Sequence, residues 1–181
     1  MTLNFTPFPT LTTERLVLRK FEKTDAPEVF RFRGDEKVAQ YIARPVMKAM
    51  EEAEMYIEKM RKGAEENEFV QWGMTLKETN KIIGSICLWN IQKEHYRADV
   101  GYEMHSHFWG KGIMSEALKA VIDYGFNTMK LHSIAAWVDP ANIASIKLLE
   151  RNNFVKEAYF KESYYLKGNF VDSVVYSLLA N

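Results

Sequence analysis

Apolar and polar positions set two periods along this chain. Leu16 to Phe21 alternates apolar with polar types, and Val100, Tyr102 and Met104 of Ala98 to Met104 recur at a spacing of two; Phe69 to Leu76, Ile82 to Asn90, Ser133 to Val138, Phe154 to Leu166 and Phe170 to Leu179 also read as strands. Between them the spacing changes to that of a helix. Ala49, Ala53, Tyr56, Ile57 and Met60 share one face, as do Met114, Ala117, Leu118, Val121, Ile122 and Phe126. Asp25, with Pro27 and Glu28 behind it, predicts a helix start running to about Phe32 and ended by Gly34. Val38 to Ile42 predicts one more helical turn, and Gly63 predicts the end of the second helix. A short helix is predicted from Asn142 to Asn152-Asn153, where Asn takes the left-handed conformation usual for Gly. Thr79-Asn80 and Gly168-Asn169 read as hairpin turns, and residues 1–11, with Pro7 and Pro9, as an extended arm.

The order is strand, two helices, three strands, helix, strand, helix, two strands. Hairpin neighbours must be antiparallel, whereas helix-connected neighbours can be parallel. An α/β (α+β) class follows, with a mixed, mostly antiparallel sheet of six to seven strands and helices on both faces. At 181 residues the chain reads as a single domain, 1–181.

Composition narrows the partners. The 24 basic and 24 acidic residues cancel, which argues against a broad nucleic-acid or anionic-membrane footprint. No apolar run reaches spanning length and no signal-peptide pattern opens the chain, so the reading is a soluble cytoplasmic protein, monomer or homodimer. The single Cys87, in an apolar run, reads as a buried small hydrophobe in a reducing compartment.

The chemistry centres on Val100 to Met114, V-G-Y-E-M-H-S-H-F-W-G-K-G-I-M, in which a strand meets Gly110-Lys111-Gly112 and then a helix. A glycine loop feeding a helix N-terminus offers unpaired backbone N–H groups and the positive end of the helix dipole, which suits a phosphate or diphosphate. A ligand-free strand-to-helix turn fits the same local residues. The dinucleotide fingerprint and the P-loop both fit badly, because Ser115 stands where the first needs Gly or Ala and Gly112 where the second needs Ser or Thr. His105 and His107 share a strand-like spacing with Glu103, but no cysteine or third histidine is near in sequence, and no metal site is read from them.

A wider window carries a resemblance. His107-Phe108-Trp109-Gly110-Lys111-Gly112 resembles the Gln/Arg-x-x-Gly-x-Gly/Ala loop of the GNAT acyltransferase superfamily. Asn142-Ile143-Ala144-Ser145, followed by Lys147 to Phe154, resembles its second landmark, and Thr13-Glu14-Arg15-Leu16-Val17-Leu18-Arg19 looks like the opening strand of its RimJ/RimL-type branch, which acetylates ribosomal-protein N-termini. The resemblance implies acetyl-CoA as acyl donor, no metal, and a sheet that splays between 98–104 and 133–138, the fourth and fifth strands of this reading, to admit the pantetheine arm.

It also implies roles residue by residue. Backbone N–H groups from Phe108 through Trp109, Gly110, Lys111, Gly112 and Ile113 to Met114 would cradle the diphosphate, with the Lys111 and Lys147 side chains near outer phosphates. His107 replaces the family's Gln or Arg, so a cation is no longer guaranteed there. Glu103 would be the base, Glu157 its rival, and Met104 N–H the oxyanion donor. Leu149 stands where many members keep an acidic Tyr, which leaves the Ser145 hydroxyl for the departing thiolate and Asn142 for the pantetheine arm. Ordinary structural roles compete with each of these: an ion pair to Arg97 for Glu103, a helix cap for Asn142, packing for Ser145, solvated surface for the lysines. Trp72, Trp89 and Trp137 read as core or pocket walls, with Trp109 packed beside the loop. The acceptor expected is the α-amino group of a protein or peptide, with a small amine, or non-catalytic acyl-CoA binding, as the alternatives.

Overall fold

The computed structural model describes residues 2–180; Met1 and Asn181 lie outside the described residues. One sheet of eight strands organises it: β1 (Leu11–Thr12), β2 (Leu16–Arg19), β3 (Val70–Leu76), β4 (Ile82–Gln92), β5 (Arg97–Met104), β6 (Ser133–Val138), β7 (Val155–Leu166) and β8 (Asn169–Leu179), in the spatial order β1-β2-β3-β4-β5-β6-β8-β7. Every neighbouring pair is antiparallel except β5 and β6. Four α-helices cover the faces: α1 (Ala26–Arg33), α2 (Met50–Glu65), α3 (Ile113–Asp123) and α4 (Ile143–Arg151).

Successive strand residues point to opposite faces. Ile83 joins the cluster containing Met114, Leu118 and Val121 of α3 and Leu149 of α4, while Ile82 joins Val29 and Phe32 of α1 and Ile57 of α2. The sheet is therefore sandwiched as its mixed topology requires.

The splay lies where the resemblance put it. β5 and β6 pair only at Arg97↔Ser133, Ala98↔Ile134 and Asp99↔Ala135, and beyond Asp99 the two strands separate. They are the fifth and sixth strands rather than the fourth and fifth, because β1 adds one. That strand corrects the arm: Leu11 pairs with Leu18 and Thr12 with Val17. The arm itself is anchored, with Phe5 2% exposed and the Trp72 indole donating to the Pro9 carbonyl at 2.6 Å. The arm bends at Thr6–Pro7 and is held against the core edge rather than free.

Other boundaries moved for identifiable reasons. Asp25 is the N-cap residue of α1, but its side chain does not bond that helix; it closes a capping box around the 3₁₀ turn Lys23–Asp25, its carboxylate taking the Glu22 N–H at 2.7 Å and both ends of the Arg19 guanidinium at 2.8 Å. Gly63 lies inside α2, where a Cβ would run into the Phe69 ring. α3 ends at Asp123 and continues as a π turn, Tyr124–Thr128. The β7–β8 turn is Lys167-Gly168, at φ 48° and 91°, one residue earlier than expected. Asn153 does end the α4 segment in the left-handed region, at φ 65°. Trp72 is fully buried, but Trp89 and Trp137 stand about half exposed on the sheet.

Candidate active site

At the end of β5 the direction of each backbone group follows from one bond. The His105 N–H donates to the Ile83 carbonyl of β4 at 2.9 Å. N–H directions alternate along a strand, so Met104 and Tyr102 turn theirs away from β4, into the gap left by β6. The Trp109 indole donates to the Met104 carbonyl at 2.8 Å on that same edge, which ties the loop to the strand and leaves the Met104 N–H as a donor aimed into the gap.

The loop then climbs to α3. His105 caps the 3₁₀ turn Ser106–Phe108, its Nδ1 accepting from the His107 N–H at 3.1 Å. Gly110 and Gly112 both hold left-handed φ, at 74° and 73°. Only Gly enters that region freely. From Gly110 to Ser115 the backbone N–H groups make no protein hydrogen bond among the described residues. Six consecutive orphan donors at a helix N-terminus fit the diphosphate of coenzyme A, and the open space above Gly110, where an added Cβ would meet nothing within 4 Å, is the room such a group needs.

The sequence reading missed the cation that supports this loop. Arg15, just before β2, donates to the Lys111 carbonyl at 3.0 Å, and its Nη2 stands 3.6 Å from where a Gly112 Cβ would be. Glu116, in the first turn of α3, grips it through the Arg15 N–H at 2.8 Å and Nε at 2.6 Å, and also accepts from the Thr13 hydroxyl. With His107 in the family's Gln/Arg position, Arg15 restores a permanent positive charge beside the loop. Burial opposes the Glu116 charge, but the Thr13 and Arg15 donors outweigh it and hold the carboxyl below its ordinary 4.5. A depressed carboxyl stabilises the folded state above its unfolded value, and that contribution is lost as pH falls through the folded one. The Tm difference between wild type and Glu116→Gln should therefore be constant above pH 5 and shrink below about 4.5. A gap that does not change with pH would show that the charge of Glu116 is not what supports the loop.

Ser145 sits one turn into α4, buried, with its N–H donating to the Asn142 side chain at 3.1 Å. Asn142 is thus a helix cap, and its amide NH₂ stays available beyond the cap. The Ser145 hydroxyl lies 2.7 Å from the phenol oxygen of Tyr102. That partner was invisible in the sequence, where Tyr102 reads as one more apolar strand position. Burial pushes the phenol up to about 12, partly offset by the bond to Ser145, so it remains protonated at ordinary pH. Lys147 and Lys111 are exposed, Lys111 with its Nζ 5.6 Å from the Phe108 ring centroid.

Glu103 points to the opposite face, toward α1 and α2. Its partner is not Arg97, which was the pairing weighed from sequence. Arg33 Nη1 bonds one carboxylate oxygen, and Arg44 bonds the other through Nε at 3.0 Å and Nη2 at 2.6 Å. The three side chains are 8–14% exposed. A carboxylate offers about four lone-pair sites, so three guanidinium bonds leave roughly one. Glu157, the rival base, is exposed on β7 at the register shift between Lys156 and Ala158. Among the described residues no group of three or more His, Cys, Asp or Glu is placed to hold a metal ion, and no helix is long and apolar enough to cross a membrane.

Known proteins resemble the whole chain in sequence and fold. The uncharacterized N-acetyltransferase p20 of Bacillus licheniformis is 36% identical over 170 residues, covering 94% of this chain and 96% of its own. The [ribosomal protein uS5]-alanine N-acetyltransferase of Escherichia coli is 28% identical over 176 residues, 93% of this chain and 89% of that protein. A crystal structure of a GNAT-family acetyltransferase from Bacillus anthracis shares a TM-score of 0.84 at 29% identity, over 94% of this chain and 98% of that one. The family model for the acetyltransferase (GNAT) domain matches residues 15–155, from the arginine behind the loop to the first residue of β7, and this chain belongs to that family.

Proposed function

We propose that this acetyltransferase acts on the N-terminal α-amino group of a protein or peptide. Its acyl donor is acetyl-CoA, whose thioester supplies the carbonyl carbon that the amine attacks. The residues from Phe108 to Met114, with Arg15 behind them, hold the diphosphate; Asn142 and Lys147 line the cofactor's path along α4. The Met104 N–H receives the charge that develops on the carbonyl oxygen. Ser145 donates its hydroxyl proton toward the departing sulfur, and Tyr102 donates in turn to Ser145, which fixes the serine proton on that side.

The observation that carries the α-amino reading is the occupied carboxylate of Glu103. With three guanidinium bonds on it, Glu103 orients Arg33 and Arg44 rather than collecting a proton from the acceptor. The amine must then lose its proton to solvent. An α-amino group, with a pKa of about 7.7–8.0, is neutral in a useful fraction at pH 7, whereas a lysine amine near 10.4 is not. The kinship with the uS5-alanine N-acetyltransferase, across nearly the whole chain, supports the same acceptor.

A thiol-release assay over free peptides, the same peptides blocked at the N-terminus with an internal lysine, and small amines tests this. Release with free N-termini only is the expected result; release with blocked lysine peptides or polyamines alone would replace the acceptor. The alkaline rise of kcat/KM should also follow the acceptor, moving up by about one pH unit when an acceptor amine one unit more basic is used. A rise fixed at one pH for every acceptor would return the base role to an enzyme group, with Glu157→Gln and Glu103→Gln deciding which.

A further inference from the structure

The face from which the amine arrives is fixed by what already fills the gap. Tyr102, Ser145 and the helices α3 and α4 occupy one side of β5 at its parted end. The acceptor must therefore approach from the α1–α2 side, where Arg33, Arg44 and Glu103 lie beside Met104. This cluster holds two guanidinium groups against one carboxylate, and no second acidic side chain pairs with either arginine among the described residues. Its members are mostly buried, where an uncompensated charge is costly. Arg44 uses its remaining donor on the carbonyls of Arg33 and Pro45, at 2.9 and 3.1 Å, which pins it to the end of α1. Arg33 is different. It bonds Glu103 through Nη1 alone, while its Nε is buried and has no partner. Nε belongs to one of the guanidinium edges that receive a carboxylate in fork fashion. The guanidinium carbon lies 3.9 Å from the Tyr56 ring centroid, and the Tyr56 hydroxyl accepts from Gln71, which also bonds Ser85 at 3.0 Å.

We infer that the Arg33–Arg44 pair is an acceptor subsite for a carboxylate one or two residues from the reacting amine. This rests on the α-amino reading above and sharpens it to acidic N-terminal sequences, with a free amino acid as the other source of the same group. Glu103 is what sets the pair: it consumes one positive charge and leaves the other for the acceptor. The unpartnered Nε and the second positive charge of the pair are both accounted for by such a carboxylate.

The full-length protein should be assayed with acetyl-CoA and hexapeptides that differ only at the second and third positions, as Glu, Gln or Lys, together with a free amino acid and its carboxamide. Expected is the order Glu, Gln, Lys in kcat/KM, with about ten- to hundredfold between the ends, the range of one charge-assisted hydrogen bond. The wild-type panel alone carries this test, so it does not depend on any variant folding. Arg33→Gln, with its Tm recorded, should compress the series to about threefold or less, and Arg33→Lys should restore part of it. Equal rates across the wild-type panel, or a preference for Lys, would overturn the carboxylate subsite while leaving N-terminal acetylation in place. Acetylation of the free amino acid but of neither its carboxamide nor any peptide would do the reverse, keeping the subsite and removing the peptide acceptor. A neutral or polycationic amine preferred to all of these would remove both.

Discussion

Gly110→Asp should abolish measurable CoA binding, with Kd raised about a hundredfold or more over that of Gly110→Asn in calorimetry at low salt. The comparison with Asn isolates charge. Both side chains have the same size, both are among the non-glycine residues that tolerate the left-handed region, and an added Cβ at position 110 meets nothing within 4 Å. What differs is a carboxylate placed among the N–H donors that receive the diphosphate. At about 5 Å and an effective dielectric near 20, one such repulsion is on the order of 3 kcal/mol. Raising the salt should narrow the Asp–Asn difference, since the loop is exposed and the repulsion is screened. Gly110→Ala should sit near Asn, with its backbone strain of about 1–2 kcal/mol divided between Tm and affinity. Equal Kd values for Asp and Asn would take the anion site away from this loop and, with it, the placement of the thioester at the parted strands.

The second large effect is on turnover. Ser145→Ala should lower kcat about a hundredfold with the Kd for CoA changed by less than about threefold, because a donor to the leaving group acts on the transition state and not on the ground state. Tyr102→Phe should lower kcat by about tenfold, and the double variant should be no slower than Ser145→Ala alone. Phe fills the same volume, so the phenol is lost without opening a cavity. If Tyr102 acts by orienting the Ser145 proton, its contribution vanishes once the serine hydroxyl is gone. If it merely packs, Tyr102→Phe costs nothing; if its hydroxyl acts independently of the serine, the two losses multiply. Tyr102→Phe should also leave the alkaline limb of the rate profile in place, since burial holds the phenol up at about 12 and it does not ionise in the assay range. A Tyr102→Phe variant as fast as wild type would return Tyr102 to the core, a multiplicative double variant would separate it from Ser145, and a loss of CoA affinity equal to the loss of kcat would make Ser145 a cofactor contact only.

These two results differ in how far the sequence led to them. Gly110 and Gly112 announce themselves: two glycines between a period of two and a period of 3.6 mark a turn into a helix, and the N–H donors come with it. Tyr102 does not. It falls on the same alternation as Val100 and Met104, and its hydroxyl acquires a role only because α4, 43 residues on, brings Ser145 to 2.7 Å. Arg33 and Arg44 reach Glu103 across 70 and 59 residues, and Arg15 reaches Lys111 across 96. No local pattern signals such partners, so Glu103 read as a free carboxylate or as the neighbour of Arg97. Gly63 shows the same blindness on a small scale: glycine reads as a helix end, and only the Phe69 ring packed against it explains a glycine inside α2.

What the sequence determined by itself is the alternation of elements, the mixed sheet that their order requires, and the glycine turn that opens α3 with its N–H donors free, because each is set by the order of elements or by residues close in sequence. The tertiary structure decided the rest. It decided that β5 and β6 part after Asp99, that the Met104 N–H faces the opening, and that the carboxylate beside it is clamped by two guanidinium groups. Those depend on which strand edge lacks a neighbour and on charges brought together across the chain, and folding alone sets both.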